Sequence, residues 1–368
     1  MLSRRQIVLG LTALTGGTMA YAIGTTNQAN IRYNNAVRDT WRHTPDNSKL
    51  DLLAVNRELV RYATLAASSH NTQCWKFAIA DETIAILPDW TRKCPAVDPD
   101  DHHLFVSLGC AAENLVQAAQ AFGKYGVVNF DTVNDWVQVN LEPAKVIDSD
   151  LFNAIPQRQC SRIEYDGRTL SNTDLASLEE AGQGNGVRIL MLTDKERIEN
   201  VLEYVVQGNT AQMNDRAFIE ELKSWIRFSY DEVLIKRDGL FAGSSGNPIV
   251  PRWLGMNLLN LFFTAKGEND KYAKHIRSSA GIAVFMSEQN DKEHWVETGR
   301  CYERFALQAT ALGIKNAFLN QPVEVASLRP QLANYLGIGD LRPDLVVRFG
   351  YGVETPRSLR RHIEAVLL

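Results

Sequence analysis

The chain has 368 residues, of which 45% are hydrophobic and 22% are charged, and its formal net charge is −4. This is ample material for two globular units or one large one. The slight negative charge, with no segment rich in Lys and Arg, argues against nucleic acid as a partner. The five cysteines are dispersed and form no Cys-x-x-Cys pair, which argues against a zinc ribbon, a thioredoxin-type pair and a disulfide scaffold.

The N-terminal segment has the features of an export signal. Arg4 and Arg5 precede an uncharged stretch over 7–23 that is rich in Leu, Ala, Gly and Thr and contains a small-residue cleavage site at 20–22. This pattern resembles a twin-arginine signal, although the aromatic residue usual in that motif is absent. We therefore predict that residues 1–24 direct the protein to the periplasm or, if uncleaved, anchor it to the membrane. A frayed hydrophobic helix is the alternative interpretation.

Small hydrogen-bonding side chains are concentrated in the loop 68–75, directly before a predicted strand. They are Ser68, Ser69, Asn71 and Gln73, and Trp75 follows them. Hydroxyl and amide groups in such a run can satisfy the carbonyl and N–H groups at the edge of a flat ring such as a flavin. The Trp would anchor the loop to the strand behind it. The alternative is a polar loop that simply enters a strand.

The segment 98–103, Asp-Pro-Asp-Asp-His-His, contains residue types that bind metals. It lies directly before a long predicted helix, where Asp caps the helix N-terminus and interacts favourably with the helix dipole. We therefore predict a capping role for this segment and no metal site in the chain.

Two helical segments, 105–123 and 295–313, align without gaps at an offset of 190 residues, which matches Gly109 to Gly299. Both are rich in small and apolar residues around most of their circumference, so we expect both to be buried and packed on each other. An isologous interface buries the same element from two copies. The repeat therefore predicts a two-fold dimer fused into one polypeptide, a pseudo-dimer.

The predicted strands alternate irregularly with helices, which indicates an α+β fold. They are Lys76–Ala80, Ile84–Leu87, Trp136–Leu141, Val187–Thr193, Ile282–Met286 and Leu345–Phe349. We divide the chain into a first half at 25–150 and a second half at 151–368, with an insertion at about 198–273 that breaks the repeat. A Gly/Ser/Pro-rich hinge at 239–248 could let the insertion close over a site as a lid. The alternative is a peripheral excursion that covers nothing.

Two pairs of basic residues are candidates for binding a phosphate. Arg158 and Arg162 are four positions apart, which places both on one face of a helix, and Cys160 lies between them. Arg360 and Arg361 follow the last predicted strand. Each pair alone is more typical of a solvated surface, where Arg pairs are common. With the loop 68–75, they would supply contacts to a phosphate as well as to a ring.

In combination, these motifs resemble the nitroreductase family of flavin enzymes, and specifically its fused, Acg-like branch. The family has an Arg-x-Ser-x-Arg phosphate motif, a Ser-rich loop that ends in Asn-x-Gln-Pro-Trp on the flavin, and basic residues after the terminal strand. The matching residues are Ser68, Ser69, Asn71, Gln73, Arg158, Cys160, Arg162, Arg360 and Arg361. The likeness runs from about residue 52 to the C-terminus. Two departures are Cys74 in place of the motif proline and Cys160 in place of a serine.

The resemblance implies an exported oxidoreductase that binds FMN at the interface of its halves and reduces a small molecule, with the chemistry carried by the flavin and no catalytic side chain. It also implies a nicotinamide electron donor, which conflicts with export, so neither the donor nor the substrate is identified. A shift of the loop by 190 residues gives the apolar segment 258–265, so we predict one FMN per chain in a monomeric pseudo-dimer. The alternatives are a protein that sequesters FMN beneath a closed lid without turnover, and a cofactor-free interaction module.

Overall fold

Helices alternate with mostly antiparallel strands in the computed structural model, which describes residues 16–44 and 50–368. The α-helices of these ranges are α1 (Gly16–Thr40), α2 (Leu52–Thr64), α3 (His102–Ala121), α4 (Asp150–Ala154), α5 (Asn172–Ala181), α6 (Lys195–Asn214), α7 (Arg216–Trp225), α8 (Tyr230–Lys236), α9 (Arg252–Phe262), α10 (Ala265–Arg277), α11 (Lys292–Ala311), α12 (Gln321–Glu324) and α13 (Arg329–Leu336). The strands are β1 (Trp75–Ala80), β2 (Thr83–Pro88), β3 (Lys124–Asp131), β4 (Trp136–Pro143), β5 (Val187–Leu192), β6 (Ile226–Arg227), β7 (Leu240–Phe241), β8 (Gly281–Ser287), β9 (Lys315–Phe318) and β10 (Arg342–Gly350). The predicted α+β class is confirmed.

The predicted export segment lies largely outside the described residues, of which 16–24 belong to α1. Within the part of the chain that the structure describes, no helix combines the length and the apolar character needed to cross a bilayer. Further along α1, Tyr33 is buried in a small cluster with Phe241 and Leu359. The helix α1 therefore packs against both the insertion and the C-terminal segment.

The two main sheets have the same strand order. The first sheet is ordered β1-β2-β4-β3 and the second β5-β8-β10-β9, and every neighbouring pair is antiparallel. In each sheet two strands precede a long helix, α3 or α11, and two follow it. The two sheets therefore agree in both the order and the directions of their strands when β1, β2, β3 and β4 are matched to β5, β8, β9 and β10. The short parallel pair of β6 and β7 lies in the insertion, outside this arrangement.

All six predicted strands are present, each within a few residues of its predicted ends. The sequence patterns do not predict β3 and β9 of the two main sheets, nor the short strands β6 and β7 of the insertion. Strand β3 contains Gly126 and Asn129, which disfavour a strand, and β9 has only 4 residues. In both β3 and β9, pairing with a neighbouring strand supplies what the local pattern lacks, since β3 pairs with β4 and β9 with the longer β10.

The long helices α3 and α11 pack against each other at the centre of the core. Their first residues are 190 positions apart, and so are their last, as the repeat in the sequence predicts. A Cβ added to Gly109 would lie 1.9 Å from the carbonyl oxygen of Val296, and one added to Gly299 would lie 1.9 Å from that of Val106. The crossing is therefore reciprocal, and each glycine permits the close approach of the two backbones.

Replacing Gly299 by alanine is expected to destabilise the protein by about 3 kcal/mol, the upper part of the usual range for overpacking, because the clash is with backbone rather than with a flexible side chain. Urea unfolding followed by circular dichroism measures this change. The matched control is Gly267→Ala in α10, where the added Cβ meets the Thr264 hydroxyl oxygen at 3.1 Å; its stability should be unchanged or slightly higher. A Gly299→Ala protein that unfolds like the wild type would contradict the observed crossing.

Candidate functional site

A cavity of about 560 Å³ lies between the loop 68–75, the start of α3, the second half of the chain and the insertion. Its volume is within the range of small-molecule binding sites, roughly 300–1,000 Å³. The insertion supplies an apolar wall made of Phe218, Leu222, Phe228, Leu254, Leu258, Leu259, Phe262 and Phe263. The insertion therefore encloses the cavity and is not a peripheral excursion.

A smaller recess of about 70 Å³ adjoins the cavity and has a more polar lining. The two spaces share wall residues, namely Ala67, Ser68, Arg162, Leu240 and Phe318. The other lining residues of the recess are Trp41, Asn71, Arg158, Gln159, Cys160, Ser244, Arg357, Ser358 and Arg360. Four arginines and no carboxylate therefore line the recess, so its walls favour an anion.

Arg158 is buried and forms an ion pair with Glu303 of α11, with 2.8 Å between its Nε and the carboxylate oxygen Oε1. It also donates a hydrogen bond of 2.9 Å to the carbonyl oxygen of Leu65. Glu303 accepts a further hydrogen bond, 3.2 Å, from the backbone N–H of Ala67. Burial raises the pKa of Glu303, although the charge of Arg158 and this hydrogen bond oppose the rise. The pair fixes Arg158 beside the loop that leads into the cavity.

The two arginines that the C-terminal segment contributes to the recess are held by backbone carbonyl groups. Arg360 donates to the carbonyl oxygens of residues 64–66 at 2.9, 3.2 and 3.1 Å, and Arg357 donates to those of residues 156–157 at 2.6 and 2.7 Å. Burial, together with the positive charge of Arg158, lowers the pKa of Arg360 to about 9. Mutual repulsion among these cations would be relieved by a bound anion.

Arg162 differs from the other arginines because, within the described residues, its side chain has no hydrogen-bond or ion-pair partner. It lines both the cavity and the recess, so it lies where the two spaces meet. A half-buried guanidinium with free donors has lost part of its hydration without a compensating contact. It is the group best placed to bind an anionic ligand that spans the two spaces.

The loop 68–75 holds three non-glycine residues in the left-handed region of backbone space, with φ of 47° for His70, 52° for Asn71 and 53° for Gln73. Such conformations cost of the order of 1–3 kcal/mol each and persist where the surroundings enforce them. Hydrogen bonds from the Asn71 side chain help to enforce this backbone conformation. The side chain donates to the carbonyl oxygens of Gly239 at 3.0 Å and of Leu359 at 3.3 Å. The loop is thereby fastened to the insertion and to the C-terminal segment.

Gln73 and Arg361 reinforce this fastening from behind the cavity wall. The fully buried Gln73 side chain donates to the carbonyl oxygen of Arg237 at 2.8 Å and accepts from the backbone N–H of Arg361 at 2.7 Å. The Arg361 guanidinium contacts the Gln73 carbonyl oxygen at 3.1 Å and the Asp89 carboxylate at 3.3 Å. The polar groups of both side chains therefore bond to other parts of the protein, and neither side chain faces the cavity.

One end of the cavity is polar and contains ionisable groups. His103 and Glu324 approach to 3.5 Å between ring Nε2 and carboxylate Oε1, and Gln212 donates to the other Glu324 oxygen at 2.6 Å. Although burial opposes it, the hydrogen bond and charge of Glu324 raise the pKa of His103. Burial lowers the pKa of His70 to about 4, with Arg162 adding to the effect, so this ring is neutral at physiological pH.

The capping role predicted for segment 98–103 is confirmed. The Asp98 carboxylate accepts hydrogen bonds of 2.9 Å from the backbone N–H groups of His103 and Leu104 in the first turn of α3. Fixing this turn also places the His103 ring on the cavity wall.

The chain resembles known proteins over most of its length. No family model matches the chain. Over 323 residues, which are 84% of this chain and 90% of the relative, it is 23% identical to the Mycobacterium tuberculosis protein named "Putative NAD(P)H nitroreductase Rv3131". It is also 22% identical over 332 residues, 85% of this chain and 95% of the relative, to "Putative NAD(P)H nitroreductase acg" of the same organism. The chain is therefore nitroreductase-like in sequence over most of its length, with Acg among the proteins that it resembles.

Solved nitroreductases also match the nitroreductase-like chain in part. The FMN-dependent nitroreductase NfnB of Mycobacterium smegmatis gives a TM-score of 0.39 at 11% identity and covers 59% of this chain and 96% of its own. A nitroreductase with bound FMN from Desulfitobacterium hafniense gives a TM-score of 0.36 at 16% identity and covers 57% of this chain and 94% of its own.

Seven of the predicted cofactor-binding residues of the nitroreductase-like chain line the cavity or the recess: Ser68, Ser69, Asn71, Arg158, Cys160, Arg162 and Arg360. Gln73 and Arg361 line neither space. Their side chains turn into the protein and hold the loop. Their contribution is to the shape of the wall rather than to its surface.

Other lining residues are not predicted from the sequence. Arg357 and Trp41 meet in the recess, where the guanidinium lies 5.0 Å from the ring centroid. The three polar residues His103, Ser107 and Glu324 face the cavity. Of these residues, only Arg357 could have been found from the sequence, because it lies in the same basic segment as Arg360. The others come from separate elements whose proximity depends on the fold.

Proposed function

We propose that this chain is an FMN-binding oxidoreductase of the nitroreductase type that reduces a small molecule. The flavin ring would occupy the cavity and its phosphate the adjoining recess. The single observation that supports this most strongly is the joining of a ring-sized, largely apolar cavity to a recess lined by Arg158, Arg162, Arg357 and Arg360. The names of the relatives support the same activity class. The test is whether phosphate recognition depends on the recess, and loss of FMN affinity in Arg162→Ala without loss of riboflavin affinity would show that it does.

The polar groups of the two spaces fit this cofactor. The free donors of Arg162 and the buried cations Arg158 and Arg360 suit a phosphate dianion. Two buried amide oxygens in these walls have no hydrogen-bond partner among the described residues: Oδ1 of Asn71 in the recess wall and Oε1 of Gln321 in the cavity wall. Unpaired buried acceptors are costly, and the N–H and O–H groups of a flavin mononucleotide would satisfy them.

When bound, FMN accepts and donates hydride or electrons at its ring, and the protein provides orientation and electrostatics. The arginines of the recess would fix the phosphate end, and Ser68 and Ser69 offer hydroxyl groups along the cavity edge. The apolar wall from the insertion would keep water away from the reacting ring. No side-chain acid or base is required for this role.

We also propose that the site lies between two halves that arose by duplication. The two sheets share one strand order, and α3 and α11 cross reciprocally at Gly109 and Gly299. Both halves contribute to the cavity wall, the first through the loop 68–75 and the second through Arg162 and Asn320. A duplicated dimer would begin with two equivalent sites.

We expect one FMN per chain, because the segment 190 residues beyond the loop has become the apolar wall of the same cavity, with Leu258, Leu259 and Phe262 facing into it. Heat release of the flavin followed by its absorbance, set against amino-acid analysis of the protein, measures the ratio. A ratio near two would mean that a second site survives.

Export is part of the proposal and rests on the arginine pair of the N-terminal segment. A twin-arginine signal carries folded protein, so the cofactor could be bound before transport. Replacing both Arg4 and Arg5 by lysine should retain the protein in the cytoplasm, as cell fractionation would show, whereas an unchanged distribution would contradict the signal. Since soluble nicotinamide cofactors are cytoplasmic, the exported protein would need a different electron donor.

A second candidate function is FMN sequestration without turnover, which the wall formed by the insertion over the cavity favours. The two functions differ in the rate at which bound flavin exchanges electrons. Stopped-flow reduction by artificial donors and reoxidation by a nitroaromatic or quinone would distinguish them. Repeated rapid cycles exclude storage, whereas a flavin that is retained tightly but cycles no faster than free FMN would favour it.

A further inference from the structure

Three side chains with metal-binding chemistry converge at the edge of the cavity, where His70 belongs to the wall and the other two lie outside it. They are His70 from the loop 68–75, Cys94 from the segment before α3, and Glu221 from α7 of the insertion. One ligand atom from each, a ring nitrogen, the thiol sulfur and a carboxylate oxygen, lies within 4.8 Å of the others. Because they lie far apart in sequence, no spacing motif reveals them.

We infer that His70, Cys94 and Glu221 form a binding site for a divalent transition metal ion of the zinc class. Imidazole, thiolate and carboxylate are all zinc ligands, and a thiolate with an imidazole disfavours Mg²⁺ and Ca²⁺, which prefer oxygen alone. Three protein ligands leave one position of a tetrahedral ion for water or another small ligand. This inference is independent of flavin binding.

The second observation that points to a ligand is an unpaired buried atom. Nδ1 of His70 is buried and has no hydrogen-bond partner in the structure. The His70 backbone is also held at a φ of 47°, so the ring is directed by a strained loop rather than by a favourable contact of its own. A bound metal ion would provide the missing partner.

The carboxylate and the thiol are already positioned. Glu221 accepts hydrogen bonds on both oxygens, from the backbone N–H of Ala96 at 2.9 Å and of Val97 at 3.1 Å. Cys94 lies at the start of the same turn and is only 4% exposed. Its backbone carbonyl oxygen accepts a hydrogen bond of 2.8 Å from the N–H of Asp98, which fixes the backbone that carries the thiol. Hydrogen bonds that orient a ligating carboxylate are typical of metal sites. Ligand atoms around tetrahedral zinc are roughly 3.5 Å apart, so small side-chain rotations complete the geometry.

The charges around the cluster also favour a cation. Besides Glu221, the carboxylates of Asp98 and Glu324 act on Cys94. On the His70 side, the cation Arg162 partly offsets Glu324. A neutral site made by one divalent ion, one thiolate and one carboxylate is consistent with burial.

A metal ion here would have a structural consequence, because Glu221 belongs to the insertion while His70 and Cys94 belong to the first half. The ion would fasten the wall of the cavity to the loop 68–75. Metal binding would then stabilise the closed arrangement by mass action.

The test uses the full chain without a histidine tag, stripped with chelator and titrated with Co²⁺, whose thiolate complexes give a near-ultraviolet charge-transfer band and visible bands in the difference spectrum. We expect saturation at one Co²⁺ per chain, displacement by Zn²⁺, and a higher melting temperature in the loaded protein. Cys94→Ser should abolish the charge-transfer band, and the matched Cys160→Ser variant should keep it.

Glu221→Gln should weaken Co²⁺ binding by at least roughly tenfold, as loss of a ligand or its support does, while circular dichroism remains unchanged. If Cys94→Ser fails to fold, the Co²⁺ affinity of Glu221→Gln is the measurement that tests the metal site. The inference is overturned by the absence of stoichiometric binding, by a spectrum without a thiolate band, or by equal affinity in the wild type and Glu221→Gln. FMN content measured on the same samples tests the flavin proposal separately.

Discussion

Arg162→Ala is expected to weaken FMN binding by roughly 10- to 100-fold without lowering the stability of the flavin-free protein. The reason is that this guanidinium lines both the cavity and the recess, yet has no partner among the described residues. Its removal therefore breaks no contact within the protein. It does remove charge-assisted hydrogen bonds to the proposed phosphate, which are worth about 1.5–3 kcal/mol. Fluorescence titration of the flavin-free protein with FMN measures the change.

The ligand itself provides the sharpest control for this prediction. Riboflavin has the same ring without the phosphate, so it should bind Arg162→Ala and the wild type with nearly equal affinity. Arg188→Ala removes the same charge from an exposed position on β5, where it pairs only with Glu288, and should leave FMN binding unchanged. Arg162→Lys should be intermediate, since it keeps the charge but not the planar donors. An Arg162→Ala protein that binds FMN like the wild type would place the phosphate elsewhere.

Local sequence patterns were sufficient for the core of the fold. The helices α3 and α11 are predictable because burial on several sides demands small and apolar residues throughout, and because paired glycines mark their crossing. The strands with alternating or continuous apolar residues are predictable for the same reason. Strands β3 and β9 depend on pairing with neighbouring strands, and that information is not local.

The site was predictable to the extent that it is built from short motifs. The serines of the loop, Arg158, Arg162 and Arg360 lie where the motifs place them, on the walls of the cavity and recess. A motif does not give the direction of a side chain, so Gln73 could not be distinguished from its neighbours although it points into the protein. The polar end with His103 and Glu324 joins residues more than two hundred positions apart, and only the fold brings them together.

The insertion shows most clearly what the sequence leaves open. Its composition permits a lid or a peripheral excursion equally well. Two contacts decide between them: the Gly239 N–H donates to the carbonyl oxygen of Asn71 at 3.0 Å, and the Gly239 carbonyl accepts from the Asn71 side chain at 3.0 Å. An added Cβ at Gly239 would lie 2.2 Å from the Trp225 carbonyl oxygen, so glycine is needed there, as its φ of 76° also indicates. The hinge glycine thus serves as a fixed contact with the loop.

Arg158→Met, unlike Arg162→Ala, is expected to lower the free energy of unfolding of the flavin-free protein, by about 3–5 kcal/mol. Removing one partner of a buried ion pair leaves the other charge without compensation. The Glu303 carboxylate, which is fully buried on α11, would keep the Ala67 N–H as its hydrogen-bond donor. Burial already raises the pKa of Glu303, and loss of Arg158 should raise it further, so the group would take up a proton on folding.

The double variant Arg158→Met with Glu303→Leu distinguishes this mechanism from simple loss of packing. Replacing both partners by apolar residues of similar size removes the uncompensated charge, so much of the stability should return. Because a raised carboxyl pKa in the folded state favours folding when the group is protonated, the single variant should be least stable at neutral pH and recover as the pH falls. The double variant should lose this dependence. Urea unfolding at several pH values measures both effects, and equal stability of the single and double variants at neutral pH would show that the charge of Glu303 is not the cause.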